Sequence, residues 1–209
     1  MRTRVKICGI TRCEDAHLVV DAGVDAVGLV CYEKSPRFVS IEFAAEISQI
    51  IPAFVSRVAL FKDAEQQMIE SVLEQVEIDL IQFHGSETAD YCERFNRPYI
   101  KAIGMKGAEH DVNFLLANVE KYRSAKALLL DGHAPGEAGG TGESFDWSSI
   151  STVAKPVVLA GGLTPDNVKH AIDLVHPFAV DVSSGVESSP GIKDKDKVAA
   201  FMQQIIESK

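Results

Sequence analysis

The chain has 209 residues, 46% of them hydrophobic and 24% charged, an ordinary globular composition with enough length for one substantial core. Its formal net charge of -9 argues against broad binding to nucleic acid or anionic membranes, which needs clustered Lys and Arg. The charged, glycine-broken start MRTRVKICGITRCEDA is no signal peptide, and no stretch approaches the ~20 apolar residues of a membrane span. Cys8, Cys13, Cys31 and Cys92 form no C-x-x-C pair and no disulfide framework, so a reducing, cytoplasmic compartment is expected.

Short apolar runs alternate with amphipathic segments from end to end. The runs are Arg4–Cys8, Asp25–Val30, Val55–Phe61, Asp79–Phe83, Tyr99–Ile103, Ala127–Asp131, Pro156–Ala160 and Phe178–Ser183. Each is rich in Val, Ile, Leu or Phe, and many are followed by Gly, Ser or Asp, as buried parallel strands are. Helical periods fill the gaps. They cover Glu14–Ala22, then Ile41–Ile51 with Ser40 as N-cap, Glu65–Val76, Glu87–Phe95 and a weaker Val112–Lys121. Asp146 is placed to cap a short helix, with Phe145 and Ile150 as a hydrophobic staple. Thr164-Pro165 reads as an N-cap and first-turn proline opening Pro165–Leu174, and Asp194–Glu207 closes the series.

Eight strands alternate with eight helices, and successive strands begin about 25 residues apart, close to the length of a minimal β-helix-β return. No linker or composition break interrupts them, so residues 1–209 are expected to form one domain. A doubly wound open sheet with extra edge strands shares this alternation. The count of eight favours the (β/α)8 TIM barrel, of class α/β.

In such a barrel the active site lies at the C-terminal ends of the strands. Reading those ends collects reactive residues at one rim: Cys8 after strand one, Arg37 in the loop after strand two, His84 after strand four, Asp131 on strand six, Gly161-Gly162 after strand seven, and Asp181 with Ser183-Ser184 at strand eight. The loops after strands seven and eight are where barrels often bind phosphate, and glycine lets backbone N–H groups approach an anion. They are also ordinary turn residues. Free cysteines are commonly buried and inert. A reactive Cys8 needs a nearby cation to lower its pKa, and Lys6 shares its face of the strand. Asp131 either caps a turn or acts as an acid or base opposite Cys8. Arg37 is either solvated or a bidentate grip for a carboxylate, and His84 is either a structural hydrogen-bonding residue or a ligand contact. No His/Asp/Glu cluster has metal spacing. Gly139-Gly140-Thr141-Gly142 lacks the Lys-Ser/Thr of a Walker loop and is a candidate lid. From the residues alone, the chain is a phosphosugar-binding barrel with a thiol and a carboxylate set for proton transfer.

An ordered set of strings resembles the phosphoribosylanthranilate isomerase family from Lys6 to Asp194. It comprises KICGIT (Lys6–Thr11), KSPR (Lys34–Arg37), QFHG (Gln82–Gly85), LLD (Leu129–Asp131), GGTG (139–142), FDW (Phe145–Trp147), LAGGL (Leu159–Leu163), VDVSSGVE (Val180–Glu187) and PGIKD (Pro190–Asp194). The resemblance implies an Amadori rearrangement of N-(5-phosphoribosyl)anthranilate in tryptophan biosynthesis. It assigns Asp131 as general acid, Cys8 as general base, Arg37 to the anthranilate carboxylate, and Gly161, Gly162, Ser183 and Ser184 to the phosphate. It implies a small phosphoribosyl substrate, no metal and no organic cofactor. Three positions depart from the family pattern: Glu33 near the carboxylate grip, Phe83 where Leu is usual, and Gly132 after Asp131. Rivals are another phosphosugar enzyme on the same barrel, such as an epimerase or the related histidine-pathway isomerase, the latter typically using two aspartates where Cys8 takes the strand-one position here, and a non-catalytic phosphometabolite-binding protein. The sequence fits a monomer and a homodimer equally.

Overall fold

In a computed structural model, which describes residues 2–107, 111–132, 145–150 and 153–208, eight parallel strands close into a barrel. They are β1 (Arg4–Cys8), β2 (Ala26–Val30), β3 (Ser56–Phe61), β4 (Leu80–Phe83), β5 (Tyr99–Gly104), β6 (Ala127–Asp131), β7 (Val157–Leu159) and β8 (Ala179–Val182). Each strand pairs with the next in sequence, and β1 pairs with β8 in the register Lys6 opposite Asp181. Every strand is buried on both faces, which is why each reads as a nearly unbroken apolar run. One set of alternating residues, including Ile100, Ala102, Ala127, Leu129, Val158, Ala160 and Ala179, fills the interior. The other set, with Val5, Ile7, Val27, Ile81, Phe83, Leu128, Leu130 and Val180, packs outward beneath the helices. The small interior residues let a narrow barrel close without a pore.

Seven α-helices surround the barrel among the described residues: α1 (Cys13–Asp21), α2 (Ile41–Ile50), α3 (Gln66–Gln75), α4 (Ala89–Glu93), α5 (Val112–Lys121), α6 (Val168–Val175) and α7 (Lys195–Glu207). Ser40 caps α2 by accepting from the Phe43 amide, and Asp194 caps α7 by accepting from the amides of Asp196 and Lys197. The short helix expected under an Asp146 cap is a 3₁₀ helix, Trp147–Ser149, and Asp146 accepts from the Ser148 amide. One expectation needs correction. Helix α6 does not start at Pro165 under a Thr164 cap. Residues 165–167 form a turn, and the Asn167 side chain ties it down, accepting from the Thr164 amide at 2.8 Å and donating to the Gly162 carbonyl at 2.9 Å. The asparagine therefore serves the Gly161-Gly162 loop as well as the helix start. After β8 comes a further 3₁₀ turn, Ser184–Val186, and an antiparallel hairpin of β9 (Glu187–Ser189) and β10 (Ile192–Lys193). This hairpin was not expected from the sequence.

Phe83 points outward, into a cluster of rings made by Tyr91, Phe95 and Tyr99 with centroids 5.7–6.3 Å away. Next to it Lys101 is buried in the same outer layer. Its ammonium donates to Glu87 at 3.2 Å and to the carbonyls of Phe83 and Ala102, and Glu87 also accepts the amides of Asp63 and Gly85. This pair ties the loops after β3 and β4 to β5. Replacing Lys101 with Met leaves Glu87 charged and buried without its cation, and such a deletion costs about 3–5 kcal/mol. Urea denaturation of Lys101→Met should show a loss of that size, and a change below about 1 kcal/mol would refute the role of the pair.

Candidate active site

A pocket of about 300 Å³ opens at the C-terminal ends of the strands, a volume suited to a small metabolite. Cys8, Arg37, His84, Asp131, Gly161, Gly162, Asp181, Ser183 and Ser184 all line it, so all nine candidates come together. The barrel geometry explains this. Alternation sends Lys6 and Cys8 of β1, Gln82 of β4, Asp131 of β6 and Asp181 of β8 inward at the rim layer, where the apolar filling stops. The Gly139–Gly142 segment lies outside the described residues.

Cys8 is almost fully buried and faces Gly28 of β2. A Cβ built on Gly28 would lie 2.6 Å from the Cys8 sulfur, so the missing side chain is the room the thiol occupies. The expected lowering of its pKa is not what the site produces. Burial pushes the Cys8 thiol up, Lys6 and Lys193 pull against that, and Asp181 adds to it. Lys6 is engaged with Asp181 across the β1–β8 pairing, with Nζ 2.8 Å from Oδ2. Burial by itself would discharge Lys6. The attraction of Asp181, followed by that of Cys8, holds its pKa above the ordinary lysine value. The Asp181 carboxyl is pushed up by burial and by Asp131, against the pull of Lys6 and His84. Its second oxygen, Oδ1, is buried with no hydrogen-bond partner among the described residues.

Across the mouth, Asp131 Oδ2 lies 3.3 Å from His84 Nε2, and His84 Nδ1 meets the Gln82 amide nitrogen at 2.9 Å. With Gln82 donating to Nδ1, a neutral imidazole carries its proton on Nε2, which stands 3.3 Å from the Asp131 carboxylate without the geometry of a hydrogen bond. His84 thus sits beside the carboxylate.

The pocket's other end is made by the two terminal loops. Gly161 and Gly162 are both left-handed, with φ of 83° and 66°, a consecutive pair that residues with side chains rarely adopt. A Cβ on Gly185 would fall 1.8 Å from the Leu163 carbonyl oxygen, so backbone of one loop packs directly on backbone of the other. Both loops present main chain to the pocket, as an anion site requires. Ser183 Oγ donates to the Cys8 carbonyl at 3.0 Å.

Arg37 lies over Gly9, where a Cβ would collide with its Cδ at 2.4 Å. Its fork is engaged: Nε and Nη2 donate to the two oxygens of Glu187, both at 2.8 Å. Three of its five N–H donors are left over for a ligand. Glu187 in turn accepts from Lys193 at 2.7 Å. Burial works against the Glu187 charge, but Arg37 and Lys193 overcome it and hold the carboxyl below the usual range. Tyr32, Pro36 and Leu60 form an apolar wall beside Arg37, and Lys62 stands 5.9 Å above the Tyr32 ring. Of the family departures, Glu33 is exposed and does not line the pocket, and Phe83 is turned away from it.

Glu187, Lys193, Gln82 and Gly28 were missed as site residues. The first two bracket the hairpin turn SSPGI, and an acid and a lysine on either side of a Pro-Gly turn were the available signal. Gly28 carries no signal beyond a glycine within an apolar strand.

A (β/α)8 barrel that gathers an acid, a thiol and two glycine-serine loops around one pocket at the C-terminal ends of its strands has the form of an enzyme acting on a small molecule. Residues 5–204 match the family model described as N-(5'-phosphoribosyl)anthranilate isomerase, and the chain belongs to that family. It is 50% identical over 203 residues to the N-(5'-phosphoribosyl)anthranilate isomerase of Pseudomonas fluorescens, covering 97% of this chain and 95% of that one. Its fold is similar to the phosphoribosylanthranilate isomerase of Thermotoga maritima, with a TM-score of 0.87 at 43% identity over 98% of this chain and 99% of that one. It is also similar, with a TM-score of 0.81 at 39% identity and the same coverage, to a phosphoribosylanthranilate isomerase in complex with reduced 1-(o-carboxyphenylamino)-1-deoxyribulose 5-phosphate. The chain is an isomerase of tryptophan biosynthesis, converting N-(5'-phosphoribosyl)anthranilate to 1-(2-carboxyphenylamino)-1-deoxy-D-ribulose 5-phosphate. Among the described residues no helix is long and apolar enough to cross a membrane.

Gly28→Ala should push the Cys8 sulfur aside and lower turnover by roughly 10–100-fold, the scale of an ångström misplacement, with the barrel still folded. Steady-state kinetics beside a circular dichroism melt will check it, and full turnover in Gly28→Ala would show that the thiol's position is not critical.

Proposed function

We propose that Asp131 and Cys8 divide the rearrangement between them, as general acid and general base, in one catalytic domain spanning residues 1–209. The observation that carries this reading is that both are buried at the rim of one pocket whose far end is the Gly161-Gly162 and Ser183-Ser184 loops. The phosphate of the substrate lies against those loops. Its carboxylate takes the remaining donors of Arg37, and the anthranilate ring lies on the Tyr32, Pro36 and Leu60 wall.

Asp131, beside His84, gives its proton to the ribose ring oxygen as the C1–O bond breaks. The anthranilate nitrogen supplies the electron pair, and an open-chain iminium results. Cys8 as thiolate then removes the C2 proton. The electron pair of that C–H bond forms the C1–C2 double bond and neutralises the nitrogen, and the resulting enol tautomerises to the ketone. Asp181 and His84 hold the ribose hydroxyls, and Asp181 Oδ1 is an acceptor awaiting such a donor. No metal or organic cofactor enters this scheme. The iminium answers the problem posed by the raised Cys8 pKa: a cation one bond from C2 favours the thiolate when it is needed. The enzyme acts in the cytoplasm, as a monomer or homodimer.

Cys8→Ser and Asp131→Asn should each lower turnover by about 10² or more while binding of the reduced product analogue stays nearly unchanged. Loss of substrate fluorescence and isothermal titration report the two quantities, and wild-type turnover in either variant would end the assignment. Alkylation of Cys8 by iodoacetamide should rise with pH and reach its midpoint above the ordinary thiol value, because burial disfavours the thiolate. Lys6→Met removes a cation that lowers the thiol pKa, so its midpoint should move higher still. A midpoint that stays put or falls in Lys6→Met would mean that Lys6 does not favour the thiolate.

A further inference from the structure

We propose that Glu187 and Lys193 are positioning residues that lock the carboxylate grip, Arg37, to the strand end carrying Cys8. The proposal rests on Arg37 as the grip and Cys8 as the base. Lys193 has three N–H donors, and all three are committed: to Glu187 Oε1 at 2.7 Å, to the Cys8 carbonyl at 2.7 Å and to the Ser183 carbonyl at 3.3 Å. Its side chain is wholly buried, so it has no donor for substrate and no path to bulk water. A buried lysine saturated in this way is a tie, and what it ties is specific. The carbonyl of Cys8 fixes the last residue of β1, from which the thiol projects. The carbonyl of Ser183 fixes the start of the loop after β8. The Glu187 carboxylate, 4% exposed, is a two-sided clamp with Lys193 on one oxygen and Arg37 on both.

Electrostatics gives the arrangement its direction. Arg37 and Lys193 are cations converging on one region, and without Glu187 they would repel across a poorly solvated gap. With it the cluster carries a net charge of one positive unit, delivered to the pocket through the open edge of the Arg37 guanidinium. A side-on fork with Nε and Nη2 also sets the plane of that guanidinium. Glu187 therefore decides where a substrate carboxylate is gripped, and Lys193 holds that grip in register with the base. The hairpin of β9 and β10 exists to place these two side chains. Lys193 is anchored through its own amide, which donates to Asp15 at 3.1 Å, and Thr11 Oγ1 donates to the Gly191 carbonyl at 2.6 Å. Both anchors fasten the hairpin to the segment that follows β1.

The test separates gripping from folding. Binding of the reduced product analogue is measured beside its counterpart lacking the aromatic carboxylate, in the wild type and in Glu187→Gln, which keeps shape and removes charge. The expected result is a loss of roughly tenfold for the carboxylated ligand, the size of a weakened charge-assisted contact, and no change for the other. Lys193→Met should leave the carboxylate-free ligand bound as in the wild type and lower kcat by roughly 10–100-fold through displacement of Cys8. If Glu187→Gln does not fold, Glu187→Asp, which keeps the charge and shortens the reach, takes its place with the same split expected. Equal losses for the two ligands, or none, would overturn the positioning role of Glu187, and an unchanged kcat in Lys193→Met that of Lys193. A wild type that binds both ligands equally would instead refute the role of Arg37, so the two failures are distinct.

Discussion

The active site depends on the closure of the sheet between its first and last strands. β1 and β8 are joined in the register that sets Lys6 opposite Asp181, and their ion pair is buried on the pocket side of that seam. Removing two charges from water is expensive unless each finds its partner and further hydrogen bonds. The seam therefore admits one register, since a one-residue slip of either strand would turn its charge outward into the apolar layer and away from its partner. The ends of both strands at the pocket are set by it. Cys8 continues β1 two residues beyond Lys6, Ser183 continues β8 two residues beyond Asp181, and Ser183 donates back to the Cys8 carbonyl. Lys193 then ties the same two strand ends from outside.

That arrangement explains why Cys8, the proposed base, has a raised pKa although two lysines lie near it. The cations near Cys8 are already matched to carboxylates, Lys6 to Asp181 and Lys193 to Glu187, so their net influence on the thiol is reduced, and burial prevails. A thiol kept mostly protonated at rest is less open to oxidation and stray alkylation. In the proposed mechanism the thiolate is favoured only after ring opening has formed the iminium.

Much of this was legible in the sequence, for identifiable reasons. The strands of a parallel barrel are buried on both faces, so runs such as ALLLD of β6 and RVKIC of β1 stand out and end where the chemistry begins. Cys8, Asp131 and the two glycine-serine loops follow from reading those ends. Other features lay beyond that reading because they depend on partners far along the chain. Nothing near Arg37 says that Glu187, 150 residues later, takes two of its donors. Nothing near Gly28 says that a thiol on the neighbouring strand fills its empty side. Local rules also misplaced the start of α6. Thr164-Pro165 is a good helix opening, but Asn167 is recruited to hold the glycine loop, and the helix begins after it. The site's demand on the backbone prevailed over the local preference.

The tie made by Lys193 also orders events during synthesis. A ribosome delivers Cys8 first, Asp131 past the middle of the chain and Lys193 close to the end. The barrel cannot close before β8 has emerged, and the carboxylate grip is not braced until the hairpin has followed it. A nascent chain thus carries its thiol for most of translation without a pocket around it.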